Sequence, residues 1–231
     1  MASLSTEKKF VAPGHRAADA LSLAAHFCLP DPEHPFGSIA SVYYDTPRLE
    51  AYGDKDDGHH LKKKVRVRWY AEHQTGKSDP PCTAFLECKH RLGSARFKLR
   101  TTFTSRADPI HRAPLHDPFF STLLTDNIDA MDDPLPLDLV PVICIRYVRH
   151  RFVCPRTGTR VAIDSGIHSD RVNRDLLPNV HPPRLNVAVC EFKNDQGEAL
   201  SWIRHLHACG FRLQSFSKYG ECIAQALNGG T

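Results

Sequence analysis

The sequence predicts an α+β protein, mainly β: a closed antiparallel barrel of eight strands with a polar interior and helices on its flanks. Three observations lead there. From Lys62 to Tyr70, Val65, Val67 and Trp69 alternate with Lys64, Arg66 and Arg68, the two-residue period of a strand with one apolar and one cationic face. Two stretches, Ala84-Phe85-Leu86-Glu87-Cys88-Lys89 and Ala188-Val189-Cys190-Glu191-Phe192-Lys193, echo one another, and Glu7-Lys8-Lys9 shares their Glu-x-Lys core, so that in each an acid and a base point the same way. The long strand patterns number eight, and a barrel of eight strands has room inside for side chains or a small ligand.

At 231 residues, 41% hydrophobic and 24% charged, the chain is long enough to bury a good core and is read as one domain over residues 1–231. The net charge of +4 is mild, so a basic site has to be built by placing cations unevenly. No apolar run approaches the roughly 18 residues of a membrane span and no signal-peptide core opens the sequence, which leads to the expectation of a cytoplasmic protein. None of the eight cysteines forms a Cys-x-x-Cys pair and most sit in apolar segments, so buried free thiols are expected.

In chain order, Thr6–Val11 reads as a short strand, ended at Pro13-Gly14. Ala18, Leu21, Ala24 and Ala25 then stand at helical spacing, so a helix runs from His15 to Phe27 and stops before Leu29-Pro30. Ser38–Asp45 is a strand, and Thr46-Pro47 reads as the cap and first position of a short helix. A polar loop, Asp54–His60, precedes the Lys62–Tyr70 strand, and another, Gln74–Pro81, follows it. The second loop holds Gly76-Lys77-Ser78, the end of a P-loop pattern, but Ala71 stands where the first glycine is due. Cys82–His90 and Ala95–Phe103 form a hairpin turned at Leu92-Gly93-Ser94. Ser105–Pro141 is a long Pro- and Asp-rich connection with one helix, Phe119–Ile128. Pro141–Val153 and Thr159–Ile167 make a second hairpin around Pro155-Arg156-Thr157-Gly158, and Val187–Lys193 is the last long strand. Helical patterns over Ala199–Ala208 and Lys218–Leu227 flank an extended piece at Phe211–Leu213.

On this alternation the interior holds Lys9, Lys64, Arg66, Arg68, Lys89, Lys98, Arg100, Arg146, Arg160 and Lys193 against Glu7, Glu87, Asp164 and Glu191. Such an excess of cations is costly to desolvate unless an anion neutralises it. A chain of phosphates does so, since guanidinium groups bind phosphate bidentately and lysine supplies a point charge. Carboxylates among those cations oppose an anion unless they hold a divalent metal such as Mg²⁺ or Mn²⁺, which bridges oxygen ligands and phosphates. Taken singly, each Glu-x-Lys pair is equally a half-exposed ion pair of little energetic weight.

The sequence resembles the catalytic domain of the vacuolar transporter chaperone (VTC) polyphosphate polymerases, in the triphosphate tunnel metalloenzyme (CYTH-like) superfamily. The resemblance rests on Glu7-Lys8-Lys9-Phe10, Val42-Tyr43-Tyr44-Asp45-Thr46-Pro47, Lys64-Val65-Arg66-Val67-Arg68-Trp69-Tyr70, Phe85-Leu86-Glu87-Cys88-Lys89, Arg146-Tyr147-Val148-Arg149-His150-Arg151-Phe152, Arg160-Val161-Ala162-Ile163-Asp164, Val189-Cys190-Glu191-Phe192-Lys193 and Ser215-Phe216-Ser217-Lys218-Tyr219. It implies a tunnel of eight antiparallel strands that transfers the terminal phosphate of ATP to a growing polyphosphate. By position, Lys9, Arg66, Arg68, Lys89, Lys98, Arg146 and Lys218 are the implied phosphate-binding residues and Glu191 the implied metal ligand, with Glu87 and Glu7 as further metal ligands and Lys64, Arg100, Arg160 and Lys193 as further cations of the site. The single sequence does not fix the register of the second hairpin, so Arg149 or Arg160 can stand in for Arg146. Where the hydrolases and cyclases of the superfamily open with Glu-x-Glu-x-Lys, this chain has Ser5 at the first acid, which fits the VTC branch. Fungal members carry a phosphate-sensing domain and membrane helices absent from this sequence, so a stand-alone domain either needs a membrane-protein partner for export, which would hold it at the inner face of the membrane, or makes no product for export. The alternatives within reach of the sequence are a tripolyphosphatase of the same fold and a non-catalytic module that binds polyphosphate or RNA. ATP and inorganic polyphosphate are the expected partners, and no specific nucleic acid is expected.

Overall fold

The computed structural model describes residues 6–53, 61–71, 81–92, 95–131, 135–136, 138–194 and 201–229. The Asp54–His60 loop, the Gly76-Lys77-Ser78 tripeptide with most of its loop, and Gly93-Ser94 of the first hairpin turn lie outside the described residues. The long strands are β1 (Thr6–Pro13), β3 (Phe36–Asp45), β4 (Leu61–Tyr70), β5 (Pro81–Leu92), β6 (Ala95–Arg106), β7 (Val140–Val153), β8 (Arg160–Val172) and β9 (Val187–Asn194), with β2 (Leu29–Pro30) and β10 (Arg212–Leu213) as two-residue strands. The helices are α1 (Ala17–Phe27), α2 (Glu50–Gly53), α3 (Ala107–Arg112), α4 (Pro118–Ile128), α5 (Ile203–Ala208) and α6 (Lys218–Asn228).

Two compact units make up the chain. The first gathers the described residues up to Ser38 with Tyr147–His168 and Arg184–Lys218; the second gathers Ile39–Arg146, Ser169–Pro183 and the residues from Tyr219 onward. In the first unit the strand order is β10-β1-β9-β8-β7, with β2 also paired to β7; in the second it is β7-β3-β4-β5-β6. Each register described between these strands is antiparallel. Among the described residues no pairing joins β10 to β6, so the expectation of a closed barrel is corrected to an open, mainly antiparallel sheet with flanking helices. No described helix is long and apolar enough to cross a membrane.

The alternation in β4 sets the second unit. Val65, Val67 and Trp69 turn to one side and pack with Ala40, Val42 and Tyr44 of β3 and Ala84, Leu86 and Cys88 of β5 under Ile110, Phe120 and Leu124 of α3 and α4. Burying each large side chain contributes roughly 1.5–3 kcal/mol. Helix α4 starts where Asp117 accepts a hydrogen bond from the Phe119 N–H at 2.8 Å with Pro118 in the first turn. In the first unit, Phe10, Ala12, Val161, Ile163, Ala188, Cys190 and Phe192 form the matching apolar face, covered by Ala20 and Ala24 of α1 and Leu206 of α5. All eight cysteines are free and seven are buried, as expected from their apolar settings.

The elements differ from the sequence expectation in several places. Thr46-Pro47 does not open a helix; Leu49 has a φ of 56°, outside the right-handed helical region, and α2 begins at Glu50 with Thr46 Oγ1 accepting from the Glu50 N–H. Helix α3 lies in a stretch read as irregular. Strand β8 continues to Val172, five residues past the expected end at Ile167.

Candidate functional site

The faces opposite these two cores carry the charge. In the second unit the register sets three rows across β4, β5 and β6: Lys64, Lys89 and Lys98; Arg66, Glu87 and Arg100; Arg68, Phe85 and Thr102. The first row places lysines directly opposite one another on both sides of Lys89, an arrangement that weakens a sheet by itself. The middle row centres on Glu87, which is fully buried. Arg66 donates from Nε to Glu87 Oε2 at 2.8 Å and from Nη2 at 2.6 Å, Lys98 donates to Oε1, and Arg68 and Arg100 lie 3.6 and 3.8 Å away. Burial alone would raise the Glu87 carboxyl, but Arg66, Arg68 and Lys98 outweigh it and hold it well below the usual carboxylate range. Burial pulls Lys98 down to about 8 against the opposing pull of Glu87.

Behind this row the backbone of β3 aims Tyr43 and Asp45 to the same side. Arg66 Nη1 donates to Tyr43 Oη at 2.8 Å, the Tyr43 and Tyr219 rings stack with centroids 5.2 Å apart, and Tyr219 Oη donates to Asp45 Oδ2 at 2.6 Å. Asp45 also accepts from the backbone N–H groups of Thr46, Ala51 and Tyr52. Burial raises its carboxyl despite those bonds.

In the first unit, pairing of β1 with β9 sets Lys9 opposite Glu191 and Glu7 opposite Lys193, while pairing of β8 with β9 sets Arg160 opposite Lys193. Lys9 Nζ reaches Glu7 Oε1 at 3.0 Å and donates to the Phe216 carbonyl at 3.0 Å; Lys193 Nζ lies 3.1 Å from Glu191 Oε1. The hub is Asp164, fully buried. Arg149 grips it bidentately at 2.6 and 2.7 Å, Lys218 donates to Oδ2, and Arg149 also lies 3.6 Å from Glu191. Burial would raise Asp164, but Arg149 and Lys218 hold it at about 2. Burial works against the charge on Lys218 as well, and Asp164 overrides it to raise the ammonium.

The arginines of the second hairpin go to different partners. Arg149 joins Asp164 and Glu191, whereas Arg146 bonds Asp170 and the His111 carbonyl within the second unit, and Arg160 is exposed. Sequence reasoning also passed over Tyr43, Asp45, Tyr219 and the hub role of Asp164. The parity of Val42-Tyr43-Tyr44-Asp45 held the signal, because Val42 and Tyr44 are core and their neighbours must face the other way.

Among the described residues no three His, Cys, Asp or Glu side chains cluster as a metal cage. The oxygens of Glu87 face Arg66, Arg68, Lys98 and Arg100, the surroundings of a counter-ion. Glu191, beside Lys193 and Arg149, and Glu7, beside Lys9, stand at diagonal positions on paired strands.

A crystal structure of "a putative adenylate cyclase" from Bacillus halodurans matches with a TM-score of 0.52 at 10% identity, covering 91% of this chain and 92% of that one, a likeness of fold alone. The Mediator head module of Schizosaccharomyces pombe matches with a TM-score of 0.42 at 14% identity over 89% of each chain, too weak to carry an argument. A search of curated proteins finds no match. The profile of the VTC domain matches residues 6–227, nearly the whole chain, and the protein therefore belongs to the VTC domain family.

Proposed function

We propose that this domain is a metal-dependent polyphosphate polymerase that transfers the terminal phosphate of ATP to a growing inorganic polyphosphate chain. Membership of the VTC domain family and the likeness in fold support a polyphosphate-related enzyme. The observation that carries the reading is the lysine row: Lys64, Lys89 and Lys98 stand opposite one another on adjacent strands, beside Arg66, Arg68 and Arg100. Like charges directly opposite one another on adjacent strands cost a sheet stability, and a polyanion lying along the row would offset that cost. The family profile spans both units, which supports reading the whole chain as one domain.

Phosphoryl transfer of this kind needs positioning and charge neutralisation and no protein nucleophile. Arg66, Arg68, Lys89 and Lys98, with Lys64 and Arg100 beside them, bind and space phosphates on the second unit. On the first unit Lys9 and Lys218 do so, Arg149 takes the place expected of Arg146, and Arg160 and Lys193 extend the charge. Glu87 and Asp164 hold the cations in fixed directions, so little reorganisation is needed when phosphate arrives. Glu191 and Glu7 would hold Mn²⁺ or Mg²⁺, which neutralises charge on the transferred and leaving phosphates. The comparisons lend no support to a membrane-protein partner.

Pure protein incubated with terminally labelled ATP and Mn²⁺ tests the reading. Label in long, acid-insoluble chains is the expected result. Release of label as free phosphate alone would make the protein a hydrolase of the same fold, and binding without turnover would make it a polyphosphate-binding module.

A further inference from the structure

The cation face of β4–β6 is not uniform along its length. One end is the lysine row and the middle is the Arg66, Glu87 and Arg100 row. Two residues past Arg68 comes Tyr70, on the same face, and opposite Arg68 is Phe85. The Tyr70 and Phe85 rings meet edge to face with centroids 6.2 Å apart, and the Arg100 guanidinium carbon lies 3.6 Å from the Phe85 ring centre. Neither ring belongs to the buried core under α3 and α4. Both are only partly buried, and the Arg100 side chain is 42% exposed.

An aromatic pair among cations is poor company for a phosphate chain, which has no apolar surface to offer a ring. A nucleobase has one, and flat bases stack on aromatic rings and on guanidinium planes. Strand rise puts about 7 Å between successive positions on one face, so the phosphates of a nucleotide held at this end run toward Arg66 and then the lysines. We infer that Tyr70, Phe85 and Arg100 form a nucleobase subsite that takes the base of the donor nucleotide and directs its phosphates toward Lys64, Lys89 and Lys98. The inference rests on the reading of this face as a phosphate-binding surface and adds the orientation of the donor on it.

The test compares metal-free binding of ATP and of inorganic tripolyphosphate, which shares the phosphates and lacks the base. Phe85→Leu keeps apolar bulk and removes the flat ring; Tyr70→Leu does the same on the partner ring. Each variant should weaken ATP by about 5- to 20-fold, at the lower end of the loss seen when a base loses its aromatic platform, and leave tripolyphosphate within about twofold. An equal loss of both ligands overturns the inference, because it makes the rings structural; so does an unchanged ATP affinity in both variants. Wild-type protein that binds neither ligand overturns the reading of the face itself, and the subsite with it. A variant that melts early yet keeps tripolyphosphate affinity and loses ATP affinity still supports the subsite, since the ratio of the two is read on the same folded molecules.

Discussion

Replacing Glu87 with Gln removes one charge from the centre of the cation face and keeps the shape. Arg66 and Glu87 are both nearly dry, with side chains 8% and 1% exposed, so losing the partner leaves a guanidinium buried without its carboxylate. Breaking a buried pair in this way costs about 3–5 kcal/mol. Arg100, at 42% exposure, is screened by water and adds little. For a chain of this length the loss corresponds to a fall in Tm of roughly 6–20 °C. An anion on the same face replaces the missing charge, so metal-free tripolyphosphate should raise the Tm of Glu87→Gln by more than it raises that of the wild type, and should bind the variant more tightly. Thermal unfolding of both proteins with and without tripolyphosphate measures this. A Tm within 2 °C of wild type, about what 1 kcal/mol produces, or an equal gain from the anion in both proteins, would refute the argument that Glu87 is the counter-ion of a phosphate-binding face.

Further outcomes follow from the other groups. Asp164 is held at about 2 against roughly 3.9 in an unfolded chain, so its pairing stabilises the fold fully above about pH 4 and is lost as pH falls through 2. Asp164→Asn should lower stability at pH 7 by about 2–3 kcal/mol and flatten the acid limb of the stability profile; an unchanged limb contradicts the pairing. Lys98 is pulled down to about 8, so it is charged below that pH and neutral above it, and metal-free tripolyphosphate affinity should fall between pH 7 and 9 in wild type. Lys98→Arg should abolish that fall, which titration at three pH values checks. Glu191→Gln should stop Mn²⁺-dependent turnover while metal-free polyphosphate binding is kept; loss of that binding along with turnover would instead make Glu191 a simple partner for Lys193 and Arg149.

Much of the cation face was legible because its strands are half-buried. Val65, Val67 and Trp69 are core, so their neighbours had only one place to go, and the same logic placed Glu87 and Lys89 on β5 and Lys98 and Arg100 on β6. The second hairpin was opaque for the converse reason. Val142, Ile143, Cys144 and Ile145 are all fully buried, so the run gives no in-or-out alternation from which to phase Arg146 and Arg149. Barrel closure was unreadable because it depends on which strand edges pair, and side-chain alternation carries no information about edges. Helix α3 is six residues with Pro109 inside it, too short to show a periodic stripe, and the position of α2 turned on the positive φ of Leu49, which a leucine does not advertise. The carboxylate roles were half legible: charge excess pointed to Glu87, but only geometry distinguishes a counter-ion from a metal ligand.

The central claim is that the β4–β6 face binds a polyphosphate by its aligned cations, and metal-free equilibrium titration with polyphosphate tests it most directly. Arg66→Ala and Arg68→Ala should each weaken binding by about 1.5–3 kcal/mol per charged hydrogen bond lost. Arg112→Ala, which removes an equal charge from a side chain 82% exposed on α3, should leave the affinity within about twofold. Equal losses at all three positions would show that net charge, and not this face, attracts the anion, and would contradict the account.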